Sequence, residues 1–195
     1  MPHLTTSPFR WLLYAKFSTK QYSLTKIDLG QISISEQSLT SENGEVLTID
    51  KYNFVFQPWV DKHNFDTYGG KQILNLDREP LFAELLVLRL LERQDYKGVW
   101  VDTYRNKFWQ RLPHFSFPVL PDKKLLNVYD KIYELKGGRK SGCFDIVAFK
   151  DEHFVFIELK KNKEDNIRQT QIEWLKSART LTSVKSTFII AEWTI

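Results

Sequence analysis

Residues 143–160 read CFDIVAFKDEHFVFIELK. Two runs rich in β-branched and aromatic residues, Cys143 to Lys150 and Phe154 to Lys160, flank the polar turn Asp151-Glu152-His153, the pattern of a β-hairpin. With Asp151 and Glu152 as the turn residues, Lys150 opposes His153 and, counting outward, Asp145 opposes Glu158. Directly opposed residues share one face of the sheet with Cβ atoms about 4.5–5.5 Å apart, so two carboxylates stand side by side and Lys160 points the same way. Val147, Phe149, Phe154 and Phe156 fall on that face, whereas Ile146, Ala148, Val155, Ile157 and Leu159 fall on the other. A hairpin apolar on both faces is an interior pair covered by helices on each side, which predicts an α/β fold with α/β/α layers.

The flanking sequence supplies the covering helices. After Lys163 the period becomes helical from Glu164 to Ala178, with Ile167, Gln171, Trp174, Leu175 and Ala178 on one face, and Ser186 to Trp193 reads as a further buried strand. Upstream, Pro80 to Arg93 reads as a helix with proline in its first turn, and Lys124 to Leu135 as an amphipathic helix. Val99 to Val101 reads as a short strand, Pro113 to Pro121 as a proline-punctuated loop, and Gly137 to Gly142 as a flexible basic connection. That connection suits a solvated turn or a phosphate contact equally. From Tyr22 to Phe56 polar and apolar residues alternate around an Asn43-Gly44 turn, giving a β-rich N-terminal region, residues 1–77, before a core at 78–195. The pattern allows either a separate lobe or extra strands on the main sheet.

Composition narrows the function classes. A chain of 195 residues with 42% hydrophobic content buries a full core, which sets disorder aside. The single cysteine, Cys143, forms no intramolecular disulfide, and no Cys/His zinc spacing occurs. Without a signal-like or membrane-length apolar stretch, the expectation is a soluble cytoplasmic protein with no membrane partner. The net charge of +4 favours a polyanionic partner, and basic residues outnumber acidic ones between Lys131 and Lys163.

Two like charges side by side in a sheet are destabilising, so the Asp145–Glu158 pair invites a cation. Mg²⁺ or Mn²⁺ fits, because one or two carboxylates with waters and phosphate oxygens complete its shell. The Lys160 ammonium is then placed to stabilise charge developing on a reacting phosphate. Glu84 sits on the apolar stripe of the Pro80–Arg93 helix, where it needs either water or a partner. Gln171 is either a satisfied core amide or a hydrogen-bond donor to a metal-bound water or phosphate.

Gly142-Cys143-Phe144-Asp145-Ile146, then Glu158-Leu159-Lys160, then Gln171-Ile172-Glu173-Trp174-Leu175 together resemble the VRR-NUC branch of the PD-(D/E)XK nucleases. Phe144 stands where the superfamily has proline and Leu159 where the branch has valine, and no Val-Arg-Arg tripeptide occurs. The resemblance implies a restriction-endonuclease-like core with a mixed central sheet. It also implies metal ligation by Asp145, Glu158 and the Leu159 backbone carbonyl, with Glu84 as a further acidic residue, Lys160 as the catalytic lysine and Gln171 completing the site. DNA, branched or flapped, is the implied substrate, in repair or recombination, and a homodimer the implied assembly. Arg139, Lys140, Lys161 and Arg168 are the candidates for phosphate contact. The rival expectation is a non-catalytic nucleic-acid-binding module with the same fold.

Overall fold

The computed structural model describes residues 26–195. In chain order they form β1 (Ser33–Thr40), β2 (Val46–Val55), β3 (Gln57–Pro58), β4 (Leu74–Leu76), β5 (Glu79–Leu81), α1 (Ala83–Glu92), β6 (Lys97–Asp102), β7 (Lys107–Trp109), α2 (Lys123–Leu135), β8 (Ile146–Lys150), β9 (His153–Lys161), α3 (Gln169–Arg179) and β10 (Lys185–Thr194). Seven strands make one mixed sheet in the order β1-β2-β10-β9-β8-β6-β7. In it β10 runs parallel to both β9 and β2, and the remaining pairs are antiparallel. The short strands β3, β4 and β5 form a second sheet.

The β8–β9 hairpin adopts the expected register, Lys150 opposite His153 and Ile146 opposite Ile157. Its two faces belong to two separate cores. Ile146, Ala148, Val155, Ile157 and Leu159 pack with Leu85, Leu88 and Leu91 of α1. Val147, Phe149, Phe154 and Phe156 pack with Leu125, Val128 and Ile132 of α2 and with Trp174 and Leu175 of α3. Helices therefore cover both faces of a mixed α/β sheet, and each core excludes water from one side of the hairpin.

Three readings change, and one alternative is decided: the N-terminal β region supplies extra strands to the main sheet rather than a lobe ending at residue 77, because β2 lies between β1 and β10 in that sheet. Leu47 and Ile49 of β2 enter one core and Tyr52 and Phe54 the other, and a strand apolar on both faces needs an interior place. Residues 22–25 lie outside the described residues, and Lys26 to Gly30 form no strand; there Ile27 and Leu29 fill the core, with the Ile27 N–H donating to Tyr52 Oη at 3.1 Å. Pro80 belongs to β5, an edge strand where its missing N–H costs nothing, and α1 begins three residues later at Ala83. Finally, α3 begins at Gln169 rather than Glu164, because residues 161–165 close a turn. In it the N–H groups of Glu164 and Asp165 donate to the Lys161 carbonyl at 3.1 and 3.0 Å, and Asp165 Oδ2 accepts from the Lys161 N–H at 3.2 Å. Ile167 still packs on the α3 core from the segment before the helix. Among the described residues no helix is long and apolar enough to cross a membrane.

Candidate active site

The end of the hairpin far from its turn carries the charged residues. Asp145 directly precedes β8, where its carbonyl accepts from the Val101 N–H of β6 at 2.7 Å and its Oδ2 accepts from the Leu159 N–H at 2.9 Å. It is thus fixed between the two neighbouring strands. Glu158 and Lys160 alternate with Leu159 along β9, share one face, and pair at 2.7 Å from Lys160 Nζ to Glu158 Oε1. Gln171, in the first turn of α3, donates from Nε2 to the same Oε1. Its own Oε1 accepts from the Arg168 N–H at 2.9 Å, so one amide caps the helix and grips the carboxylate together. Glu158 is only 2% exposed, and its second oxygen, Oε2, has no hydrogen-bond partner among the described residues. A buried orphan carboxylate oxygen is costly unless something else meets it.

Asp145, Glu158, Leu159, Lys160, Arg168 and Gln171 line a polar cavity of about 310 Å³ together with Lys71, Glu84 and Thr103. Glu84 enters it from α1, on the opposite side of the sheet from α3, so the cavity lies where both layers reach round the end of the hairpin. The partner that a carboxylate on an apolar stripe requires is Lys71, whose ammonium pairs with Glu84 Oε1.

Lys71 and Thr103 escaped the sequence reading. Lys71 arrives on the turn Asp66-Thr67-Tyr68-Gly69-Gly70, in which Tyr68, Gly69 and Gly70 have φ of 56°, 91° and 87°. Its only local signal is the Gly-Gly pair, which marks a turn and no chemistry. Of the four candidates for phosphate contact, Arg168 lines the cavity. Arg139 lines a neighbouring cavity that meets the first at Thr170. Lys140 is exposed and its ammonium donates to Asn106 Oδ1. Lys161 turns to the other face, pairs with Glu164 at 2.8 Å and lies 5.7 Å from the Trp193 ring, away from the site.

Negative charge is incompletely compensated here. Burial, and then the Glu84 charge, lift the Asp145 carboxyl to about 6 against the pull of the Leu159 N–H, Lys71 and Lys160. Burial, and then Asp145, push Glu158 well above the ordinary carboxylate range despite Lys160 and Gln171. Burial works against the Lys71 charge, but Glu84 outweighs it and raises the ammonium. Cys143 also borders the cavity, yet burial and the same two carboxylates hold its thiol protonated, which makes it a poor nucleophile.

The raised Asp145 carboxyl has a measurable consequence. The native state binds this proton more tightly than the unfolded chain, so between about 6 and the ordinary 3.8 stability rises as pH falls and is lost as pH increases. At pH 7.5 without divalent metal, Asp145→Asn is expected to exceed wild type by on the order of 3 kcal/mol. The gap should close near pH 4. Denaturant melts of both proteins across this range check it, and an Asn variant less stable than wild type at pH 7.5 would show that Asp145 is a net structural anchor.

Among the described residues no three His, Cys, Asp or Glu side chains converge as a ready-made metal cage. What the site offers is two carboxylates, one with an unpartnered buried oxygen, and that donor set suits a hard divalent ion that keeps several waters. Comparison with protein-family models, with curated proteins and with solved structures finds no match for the chain.

Proposed function

We propose that the chain is a metal-dependent nuclease of the PD-(D/E)XK type, close in pattern to the VRR-NUC branch, that hydrolyses phosphodiester bonds of DNA. The observation that carries this reading is the buried Glu158, which has an orphan Oε2 and shares its cavity with Asp145, while Lys160 stands 2.7 Å from its other oxygen. A mixed sheet with helices on both faces supports a restriction-endonuclease-like core. A Mg²⁺ or Mn²⁺ held by Asp145, Glu158 and the Leu159 carbonyl would supply an acidified water and neutralise phosphate charge.

The chain's own groups supply the rest. Lys160 presents its ammonium where charge develops on the phosphate oxygens. Gln171 keeps Glu158 in one rotamer by a bond that α3 itself braces through the Arg168 N–H. Arg168 lines the same cavity and offers a planar, doubly donating group to an incoming phosphate. The deciding experiment incubates the protein with single-stranded, duplex, flap and four-way-junction DNAs, with and without Mn²⁺. Mn²⁺-dependent cleavage of at least one substrate is expected. Binding to DNA with no cleavage under any metal condition would favour the non-catalytic module instead.

The neighbouring cavity gives the DNA backbone a path past Thr170 to Arg139, the residue before the exposed Lys140. Replacing Arg139 and Lys140 together by alanine should flatten the dependence of log affinity on log salt by about 1–2. An unchanged slope would return both residues to an ordinary solvated turn.

A further inference from the structure

We infer that Lys71 takes the place of a second metal ion, so that the site holds one divalent cation, on Asp145 and Glu158. The inference rests on the nuclease reading above and concerns how many metals the site admits. Four carboxylates line the cavity. Asp165 is tied into the turn before α3, its Oδ2 accepting from the Lys161 N–H at 3.2 Å, and the other three would suffice for two divalent ions sharing Asp145, with Glu84 on one side and Glu158 on the other. Glu158 has an oxygen to spare, since Oε2 has no partner. Glu84 does not stand free in the same way, because the Lys71 ammonium already sits on its Oε1.

That ion pair is built in rather than incidental. The Glu84 side chain is 9% exposed, so parting it from its cation strands a buried charge. Lys71 itself follows three consecutive residues with positive φ, in a turn pinned by side chains: Asp66 Oδ1 accepts from the Tyr68 N–H at 2.8 Å and Thr67 Oγ1 from the Gly70 N–H at 3.2 Å. Tyr68 anchors the turn to the sheet, its hydroxyl donating to Asp102 Oδ2 at 2.9 Å and its ring covered by the Arg105 guanidinium at 3.7 Å. The Lys71 ammonium lies 5.3 Å from the Trp100 ring centre, which further limits where it can swing. A fixed ammonium brings one positive charge and hydrogen-bond donors to the Glu84 side of the cavity. It offers no open coordination position, so it neutralises without activating a water.

The test is a Mn²⁺ titration of the full chain by calorimetry and electron paramagnetic resonance. Wild type is expected to bind one Mn²⁺. Lys71→Met frees Glu84 and should admit a second, with spin-coupled signals, whereas Lys71→Met combined with Glu84→Gln should return to one. Because Lys71→Met leaves a buried carboxylate alone and could misfold, Glu84→Gln on its own provides an independent reading: it should still bind one Mn²⁺, weakened by no more than a few-fold for the negative charge removed, since Glu84 is engaged with Lys71 and holds no ion. Two Mn²⁺ in wild type, a single Mn²⁺ in folded Lys71→Met, or a loss of about tenfold or more in affinity for Glu84→Gln overturns the inference and leaves the nuclease reading standing. No Mn²⁺ binding by wild type overturns both.

Discussion

Lys160→Ala is expected to slow DNA cleavage at least about a hundredfold at saturating Mn²⁺, the scale seen when one preorganised donor to a transition-state charge is removed. Lys160 is 8% exposed and 2.7 Å from Glu158 Oε1, so its ammonium is held in a dry setting where it needs no reorganisation to act. The variant should keep its fold. Glu158 is already pushed towards protonation by burial, and it can take up a proton when its cation is lost. Removing a positive charge beside Asp145 and Glu158 should also tighten metal binding rather than weaken it, so an empty site would not explain the loss. DNA affinity, carried by more distant basic groups, should survive. Single-turnover cleavage with metal saturation confirmed by titration is the measurement. A rate within a few-fold of wild type would reduce Lys160 to a counter-ion of Glu158 and remove it from the chemistry.

The largest structural effect should come from Gly142→Ala. A Cβ at this position would lie 2.0 Å from the Thr170 carbonyl oxygen, 2.3 Å from its carbon and 2.7 Å from the Gln171 nitrogen, and Gly142 has φ of +78°. All three clashing atoms are backbone in the first turn of α3, so no side chain can swing aside. Either the segment leading into Asp145 moves or α3 does. The strain of a left-handed alanine and the overpacking together should cost on the order of 3–5 kcal/mol, lowering Tm by about 10 °C. Gly137→Ala is the control, since its φ of +66° is similar but nothing lies within 4 Å of its would-be Cβ. It should lose only about 1 kcal/mol. Equal melting temperatures for the two variants would mean that the close approach to α3 is unimportant. Because Gln171 rides on that same turn, any surviving Gly142→Ala protein should also hold Glu158 poorly.

The parts of this molecule that were legible in the sequence are those governed by a short period. The hairpin register followed from a two-residue turn and an apolar pattern on both faces, and the helical spacing around Gln171 placed it towards the sheet, where it meets Glu158. Local chemistry at the ends of elements was read less well. Pro80 suits a helix start and a strand edge alike, and only the pairing with Asn75 decides between them. The helical pattern from Glu164 onward was real, but the Lys161–Asp165 turn satisfies the backbone first and delays α3. Lys71 was illegible for a different reason. Its role depends on Tyr68 reaching Asp102 and on Glu84 standing across the cavity, contacts between elements that no periodicity connects.

The position of β10 also dictates an order of assembly. It is the last described strand in the chain, yet it lies between β2 and β9 and, among the described residues, is the only strand that links the β1–β2 ribbon to the rest of the sheet. As the polypeptide leaves the ribosome, that ribbon has one side of β2 without a ladder until more than a hundred residues later β10 is made and Asp50 can meet Ile189. Closing so long a loop is entropically slow, and an unpaired strand edge is an invitation to aggregate in the meantime. The β8–β9 hairpin, by contrast, joins neighbours in sequence and can form as soon as it emerges. The nascent chain can therefore close the hairpin that carries Glu158 and Lys160 before β10 seals the sheet.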